Sequence, residues 1–284
     1  MKKYYLLLLI STIACSIESI SQTKGKLVII GGSDTDEIIK KYVELAGGDN
    51  AKIIIIPNAG SKPELSSKLQ QQDFAKFGGK SDYLLFSKET ADDEINLKKM
   101  SWANAVYFLG GDQSDLTKDM LGTKLLSKVY NIYNNGGLVG GSSAGAAVMS
   151  EVMITGNELV NKDSSVAFIS IEKNNIEVKT GFGFLKNVII DQHFLKRKRH
   201  NRTISTLIEH PKLLGVAIDE ATSIIVYPND TFEVLGSNQV LIYDPTSSKD
   251  IREDSKGNLG ISNMKLHVLI SGDKFSFKTN EVIK

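Results

Sequence analysis

The chain has 284 residues, 41% of them hydrophobic, with 34 Lys plus Arg against 33 Asp plus Glu and a formal net charge of +1 at pH 7. Such a chain can bury one large core, and its charge balance argues against a nucleic-acid or membrane-surface protein. One cysteine, Cys15, excludes intrachain disulfides; if its segment is removed, cysteine nucleophiles and thiolate metal sites go with it.

The N-terminus reads as a targeting segment, residues 1–21. Lys2 and Lys3 precede an apolar run from Tyr4 to Ala14, and Ser19-Ile20-Ser21 offers small residues before a cleavage that leaves Gln22 first. The run is about half the ~20 residues a membrane-spanning helix needs, so no membrane span is expected. Ala14-Cys15 also suits lipoprotein processing, with a lipid anchor on Cys15. Either route implies an extracytoplasmic location, and residues 22–284 are expected to form a single domain.

The domain opens with a buried strand, Lys26 to Ile30, running into Gly31-Gly32-Ser33. Asp36 to Ala46 has helical spacing. Lys52 to Ile56 is a strand stopped by Pro57, Ser61 to Phe77 is a polar helix, and Tyr83 to Phe86 is a strand. Ala105 to Leu109 is a strand ending in Gly110-Gly111-Asp112-Gln113. A helix from Leu121 to Asn134 closes at Gly136-Gly137, and Leu138 to Gly140 leads into Gly141-Ser142-Ser143-Ala144-Gly145-Ala146. Val188 to Ile190 ends in Asp191-Gln192-His193, and the buried run Gly215 to Ile218 ends in Asp219-Glu220.

From Ser223 short strands follow, at Ile224–Tyr227, Thr231–Leu235, Gln239–Tyr243 and Leu266–Ile270, with turns at Asn229-Asp230 and Gly272-Asp273. They are expected to extend the same sheet antiparallel. Residues 244–261 read as a polar surface loop. Alternating strands and helices predict a mostly parallel sheet with helices on both faces, a three-layer α/β/α sandwich. Ligands of such sheets sit beyond the carboxyl ends of the strands, where the glycine, serine and histidine loops would gather.

Gly141-Ser142-Ser143-Ala144-Gly145 matches G-x-S-x-G. A sharp strand-to-helix turn there lifts the Ser143 hydroxyl and aims helix N–H groups at it, the N–H of Ala144 becoming an oxyanion donor. Serine needs a base. His210 precedes Pro211, His267 sits in a strand-like alternation and His200 in a basic run, whereas His193 directly follows a buried strand at the loop edge. An acid must orient the base, and Asp219 and Glu220 are both placed for it. The order serine, histidine, acid differs from the serine, acid, histidine of α/β-hydrolases.

The run Lys196 to Arg202 follows the candidate base. If helical, it puts Arg199 and Arg202 on one face and Arg197 one turn from His193, a clamp suited to carboxylates. Histidines are scattered and H-E-x-x-H is absent, so no metal is expected. The Gly31-Gly32 and Gly110-Gly111 loops lack nucleotide-binding spacings.

Taken together, Gly-Gly-Asp-Gln at 110–113, Gly-Ser-Ser-Ala-Gly-Ala at 141–146, Asp-Gln-His-Phe at 191–194 with Arg197, Arg199 and Arg202, and Gly-Val-Ala-Ile-Asp-Glu at 215–220 resemble the cyanophycinase branch of the S51 serine peptidases. The likeness runs from about residue 25 to the C-terminus. It implies Ser143 as nucleophile, His193 as base and Glu220 as acid. Gly111 and Ala144 would supply oxyanion N–H groups, and Gln113, Asp191, Arg197, Arg199 and Arg202 would line the substrate site.

The implied fold is class I glutamine amidotransferase-like, of the flavodoxin-like kind, usually dimeric and without a cofactor. The implied substrate is cyanophycin, a poly-aspartate with arginine on each β-carboxyl, cut to β-Asp-Arg. Ser142 stands where the family often has threonine, and Thr117 and Lys118 compete for a family lysine. Two other readings are an S51 dipeptidase or exopeptidase for short aspartyl peptides and a non-catalytic secreted binding protein of the same fold.

Overall fold

The computed structural model describes residues 25–160, 162 and 168–284. The leader read at residues 1–21 and Cys15 lie outside the described residues. Strands and helices alternate first: β1 (Lys26–Ile30), α1 (Asp36–Leu45), β2 (Lys52–Ile56), α2 (Pro63–Ala75), β3 (Lys80–Tyr83), α3 (Glu94–Met100), β4 (Ala105–Phe108), α4 (Gln113–Met120), α5 (Lys124–Asn134), β5 (Leu138–Ser142) and α6 (Ala144–Ala147). The second half is strand-rich: β6 (Val152–Glu158), β7 (Ile176–Thr180), β8 (Val188–Gln192), α7 (His200–Glu209), β9 (Leu214–Ile218), β10 (Thr222–Val226), β11 (Thr231–Gly236), β12 (Val240–Asp244), β13 (Asp250–Glu253), β14 (Leu259–Ser262), β15 (Lys265–Leu269), β16 (Lys274–Ser276) and β17 (Glu281–Ile283).

The main sheet runs β17-β16-β11-β10-β1-β5-β4-β2-β3. Its parallel centre is made of the apolar, β-branched runs of β1, β2 and β4, which are buried on both faces. On one face Val28, Ile30, Ile53 and Ile55 meet Ile38, Tyr42 and Val43 of α1 and Phe74 of α2. On the other, Leu27, Ile29, Ile54 and Phe108 meet α4 to α6 and the inner face of a second sheet. Polar helix starts follow from local chemistry: the Thr35 side chain accepts the Ile38 N–H at α1, and Thr123 accepts the Leu126 N–H at α5. The result is a mixed α/β sheet with flanking helices, consistent with a three-layer sandwich.

The expected antiparallel extension is divided between two sheets. β10 pairs with β1 and continues the main sheet through β11, β16 and β17. The strands at Gln239–Tyr243 and Leu266–Ile270 instead join β8 and β9 in the separate order β15-β12-β9-β8. Inner residues Ile190, Val216, Ile218 and Ile242 face the main core, while Ile189, Ala217 and Leu241 face Leu207 of α7 and Ile154 of β6. A strand apolar on both sides fits either sheet, so composition could not assign it.

Three boundaries also move. The strand expected at Tyr83–Phe86 lies three residues earlier, as a polar edge strand whose Lys80 pairs with Lys52. The helix expected from Leu121 starts at Lys124, because Gly122 at φ +79° breaks it from α4. The loop at 244–261 carries the β13–β14 hairpin, whose turn is tied by Asp254 Oδ1 accepting the N–H groups of Lys256 and Asn258.

Phe232 is fully buried in the extension, with the Phe275 ring centroid at 5.5 Å and Phe277 at 5.2 Å. Phe232→Ala is expected to cost about 3–5 kcal/mol in urea unfolding; a loss below about 1 kcal/mol would show that the extension is not part of the cooperative unit.

Candidate active site

Ser143 sits between β5 and α6 with φ 54° and ψ −107°. A non-glycine residue there is strained by roughly 1–3 kcal/mol, so its surroundings must hold it. Its N–H donates to Ile30 O at 3.0 Å. Gly145 lets the helix close onto β4: a Cβ there would lie 2.2 Å from Phe108 O. The N–H groups of Ala146 and Ala147 return to Ser143 O at 3.0 Å, closing the turn into α6 directly after the serine.

His193 follows β8 at φ 49°, its N–H donating to Gly31 O at 2.8 Å. The ring lies against Gly32, where a Cβ would stand 2.2 Å from His193 Cε1. His193 Nε2 is 2.8 Å from Ser143 Oγ, and His193 Nδ1 is 2.8 Å from Glu220 Oε1. Of the two acids left open by spacing, Glu220 is the one that meets the imidazole. Asp219 turns the other way and accepts the N–H of Lys196 at 3.0 Å. The serine thus comes from the main sheet, and the histidine and glutamate from the second.

Burial holds the His193 imidazole below its ordinary pKa; the Glu220 hydrogen bond opposes this, and the charges of Arg197 and Arg199 reinforce it. The hydrogen bond from His193 keeps the Glu220 carboxyl below the usual range. Near neutral pH the histidine is therefore neutral and the glutamate ionised, the states in which a base can accept a proton and an acid can hold its tautomer.

A cleft of about 250 Å³ opens beside Ser143, lined by Gly111, Gln113, Arg197, Arg199 and Arg202 among others. Thr155, Gly156 and Gln192 also line it; Gln192 lies within the Asp-Gln-His-Phe run, whereas Thr155 and Gly156 belong to β6, which no sequence motif marks. Gln113 is buried, and its Nε2 donates to Ile154 O at 2.8 Å and Thr155 O at 2.6 Å, fixing the amide's orientation. Gly111 has φ +144°, and a Cβ there would lie 1.8 Å from Ala59 O, so only glycine suits this loop.

The arginines divide by burial. The basic run is a turn rather than a helix up to Arg199, because Lys198 has φ 53°. Arg197 still lies one turn from His193, donating its N–H to His193 O at 2.9 Å, and its side chain is exposed. Arg199 Nη1 donates to both Gln192 O and Gln192 Oε1 at 2.7 Å. Burial, with Arg202 adjoining, pushes its guanidinium pKa down to about 10.

Arg202 is buried and donates from Nε to Asp191 Oδ2 at 2.9 Å and from Nη2 to Asp191 Oδ1, with the Phe168 ring centroid 5.0 Å from its Cζ. Asp191 also accepts from Thr203 Oγ1 at 2.6 Å. Burial opposes its ionisation, but Arg202 beside it holds the carboxyl below the usual range. Asp191 therefore stands behind the arginine wall and is spent on holding it. Lys118 is exposed on α4 and Thr117 is buried there; neither lines the cleft.

The remaining histidines lie elsewhere. His200 Nδ1 is 2.6 Å from the Tyr243 hydroxyl, His267 packs on Phe275 and His210 ends α7. Among the described residues no group of three or more His, Cys, Asp or Glu could hold a metal, and no helix is long and apolar enough to cross a membrane.

The model of peptidase family S51 matches residues 27–235. The chain belongs to peptidase family S51. It is 32% identical to the cyanophycinase of Synechococcus elongatus over 91% of this chain and 81% of the relative. It is 30% identical to the cyanophycinase of Geminocystis herdmanii, over 91% and 96%. A crystal structure of a peptidase from an acI-B1 Actinobacterium shares the fold, with a TM-score of 0.68 at 23% identity over 90% of this chain and 98% of that one. At family level the chain is a serine-type hydrolase similar to cyanophycinases.

If His193 must be neutral to act, kcat/KM should fall on an acid limb that lies below the ordinary imidazole range. Arg197→Gln removes a positive charge that disfavours the imidazolium, so the limb should move to higher pH, by about half a unit or less for an exposed charge. The pH profile of acylation by a small uncharged ester checks this; an unmoved limb, or one displaced to lower pH, would contradict the electrostatic reading.

Proposed function

We propose that the chain is a serine peptidase that cuts aspartyl backbone bonds of cyanophycin to release β-Asp-Arg. The observation that carries this is the relay of two 2.8 Å contacts, Ser143 to His193 to Glu220, opening into a cleft walled by three arginines. Membership of the family and the likeness to cyanophycinases support the substrate.

In this mechanism Ser143 Oγ attacks the scissile carbonyl carbon while its proton passes to His193 Nε2. Glu220 accepts the Nδ1–H and stabilises the imidazolium. The N–H groups of Gly111 and Ala144 receive the oxyanion. Breakdown expels the amine, which takes the proton from His193 and leaves an ester on Ser143. Water then attacks the ester, losing its proton to His193, and the returning proton restores the serine. Arg197 meets a substrate carboxylate at the cleft mouth, with Arg199 supplying fixed positive charge behind it and the Arg202–Asp191 pair bracing the wall.

The sandwich is class I glutamine amidotransferase-like, of the flavodoxin-like kind. Residues 22–284 form one catalytic domain that acts as a homodimer without a cofactor. The leader at 1–21 directs it outside the cytoplasm, with lipid attachment at Cys15 as the other processing route.

Mature protein is expected to release β-Asp-Arg from cyanophycin, and Ser143→Ala to lose at least about 10³-fold in kcat while still binding the polymer. Full activity in that variant would sink the nucleophile. A panel of short aspartyl peptides run beside the polymer separates the substrates: cleavage of the peptides with the polymer untouched would replace cyanophycin by a dipeptidase activity.

A further inference from the structure

The Gly31–Asp34 loop matches no nucleotide-binding spacing, yet it touches every part of the proposed triad. That triad is assembled from two sheets, and no stretch of continuous backbone sets the distance from Ser143 to His193. The loop does so by hydrogen bonds. At its start, Ile30 O accepts the Ser143 N–H at 3.0 Å and Gly31 O accepts the His193 N–H at 2.8 Å. Gly32 O accepts the N–H of Ala221, next to Glu220, at 2.8 Å, and Ser33 Oγ donates to Glu220 Oε2 at 3.4 Å. Ser33, at φ 57°, is not held there by its own preference, whereas Gly32 at φ +126° tolerates the turn.

Asp34 closes the loop onto the core. Its Oδ1 accepts from Ser142 Oγ, the residue immediately before the proposed nucleophile, and its Oδ2 from the Tyr107 hydroxyl. Tyr107 is fully buried on β4, with Tyr42 at 5.0 Å and Phe74 at 5.2 Å between ring centroids. Burial raises the Asp34 carboxyl's pKa while the two hydroxyls pull against that rise, as for a group whose acceptor capacity is in use.

We propose that Asp34 is a positioning residue: by accepting from Ser142 and Tyr107 it fixes the Gly31–Asp34 loop, and through that loop the register of Ser143, His193 and Glu220. Asp34 does not line the cleft beside Ser143. The proposal rests on the reading of Ser143 as nucleophile.

The test is labelling of the full-length protein by a fluorophosphonate probe, resolving kinact from KI, with thermal unfolding in parallel. Asp34→Ala should lower kinact about 10- to 100-fold, the scale of an ångström-level misplacement, with KI unchanged. Asp34→Asn keeps one acceptor oxygen for two hydroxyls and should fall between. Adding Ser142→Ala to Asp34→Ala should cost nothing further.

A wild-type kinact in Asp34→Ala, or a loss shared equally by KI, overturns the proposal. If Asp34→Ala shows no cooperative unfolding transition, Ser142→Ala alone decides: about a 3- to 10-fold loss in kinact supports it, and an unchanged kinact overturns it. Absence of labelling in the wild-type chain overturns the nucleophile reading instead, which separates the two failures.

Discussion

The 2.8 Å contact between His193 Nε2 and Ser143 Oγ is the constraint around which the rest of the molecule is arranged. It crosses the seam between two sheets, so it survives only if both are rigid relative to each other. The shared core supplies that rigidity. Ile29, Ile54 and Phe108 of the main sheet and Ile190, Val216 and Ile242 of the second belong to one buried cluster. Close packing of this kind deforms little under strain. The strained φ of Ser143 and the positive φ of His193 are tolerable because the surrounding bonds over-determine them.

Buried charge is handled by pairing. Asp191 and Arg202 are 1% exposed each, and two isolated charges so placed would each cost several kcal/mol. The two-point contact between them and the Thr203 hydroxyl offset that cost. What the pair provides is placement: a guanidinium that cannot swing away beside the cleft, where an unpaired arginine would seek water. Arg197, exposed at the mouth, keeps the freedom the buried arginines have lost.

Much of this was legible in the chain. The runs at Lys26–Ile30, Lys52–Ile56 and Ala105–Leu109 announced buried parallel strands because β-branched apolar residues have few other uses in such runs. Glycines around Ser143 announced the turn, since little else tolerates that backbone. Glu220 and Asp219 could not be separated by spacing, because adjacent residues after a strand point opposite ways and the choice depends on which sheet the strand joins. The sheet a strand joins is the harder inference: β8, β9 and β12 are apolar on both faces, and pattern alone does not say what covers them. The β6–β7 hairpin and its cleft residues Thr155 and Gly156 carried no motif at all.

The arginine wall has a consequence for traffic as well as for grip. Beyond the neutralised Asp191–Arg202 pair, the positive charge of the cleft comes from Arg197 and Arg199, whereas the chain as a whole is nearly neutral. The attraction an approaching anion feels is therefore local to the mouth and short in reach, dying away within a Debye length of about 8 Å at physiological ionic strength. Capture of any anionic ligand then depends on which part of it diffuses into that small volume. Dissolved salt tunes the frequency of encounter while leaving the interior chemistry largely untouched.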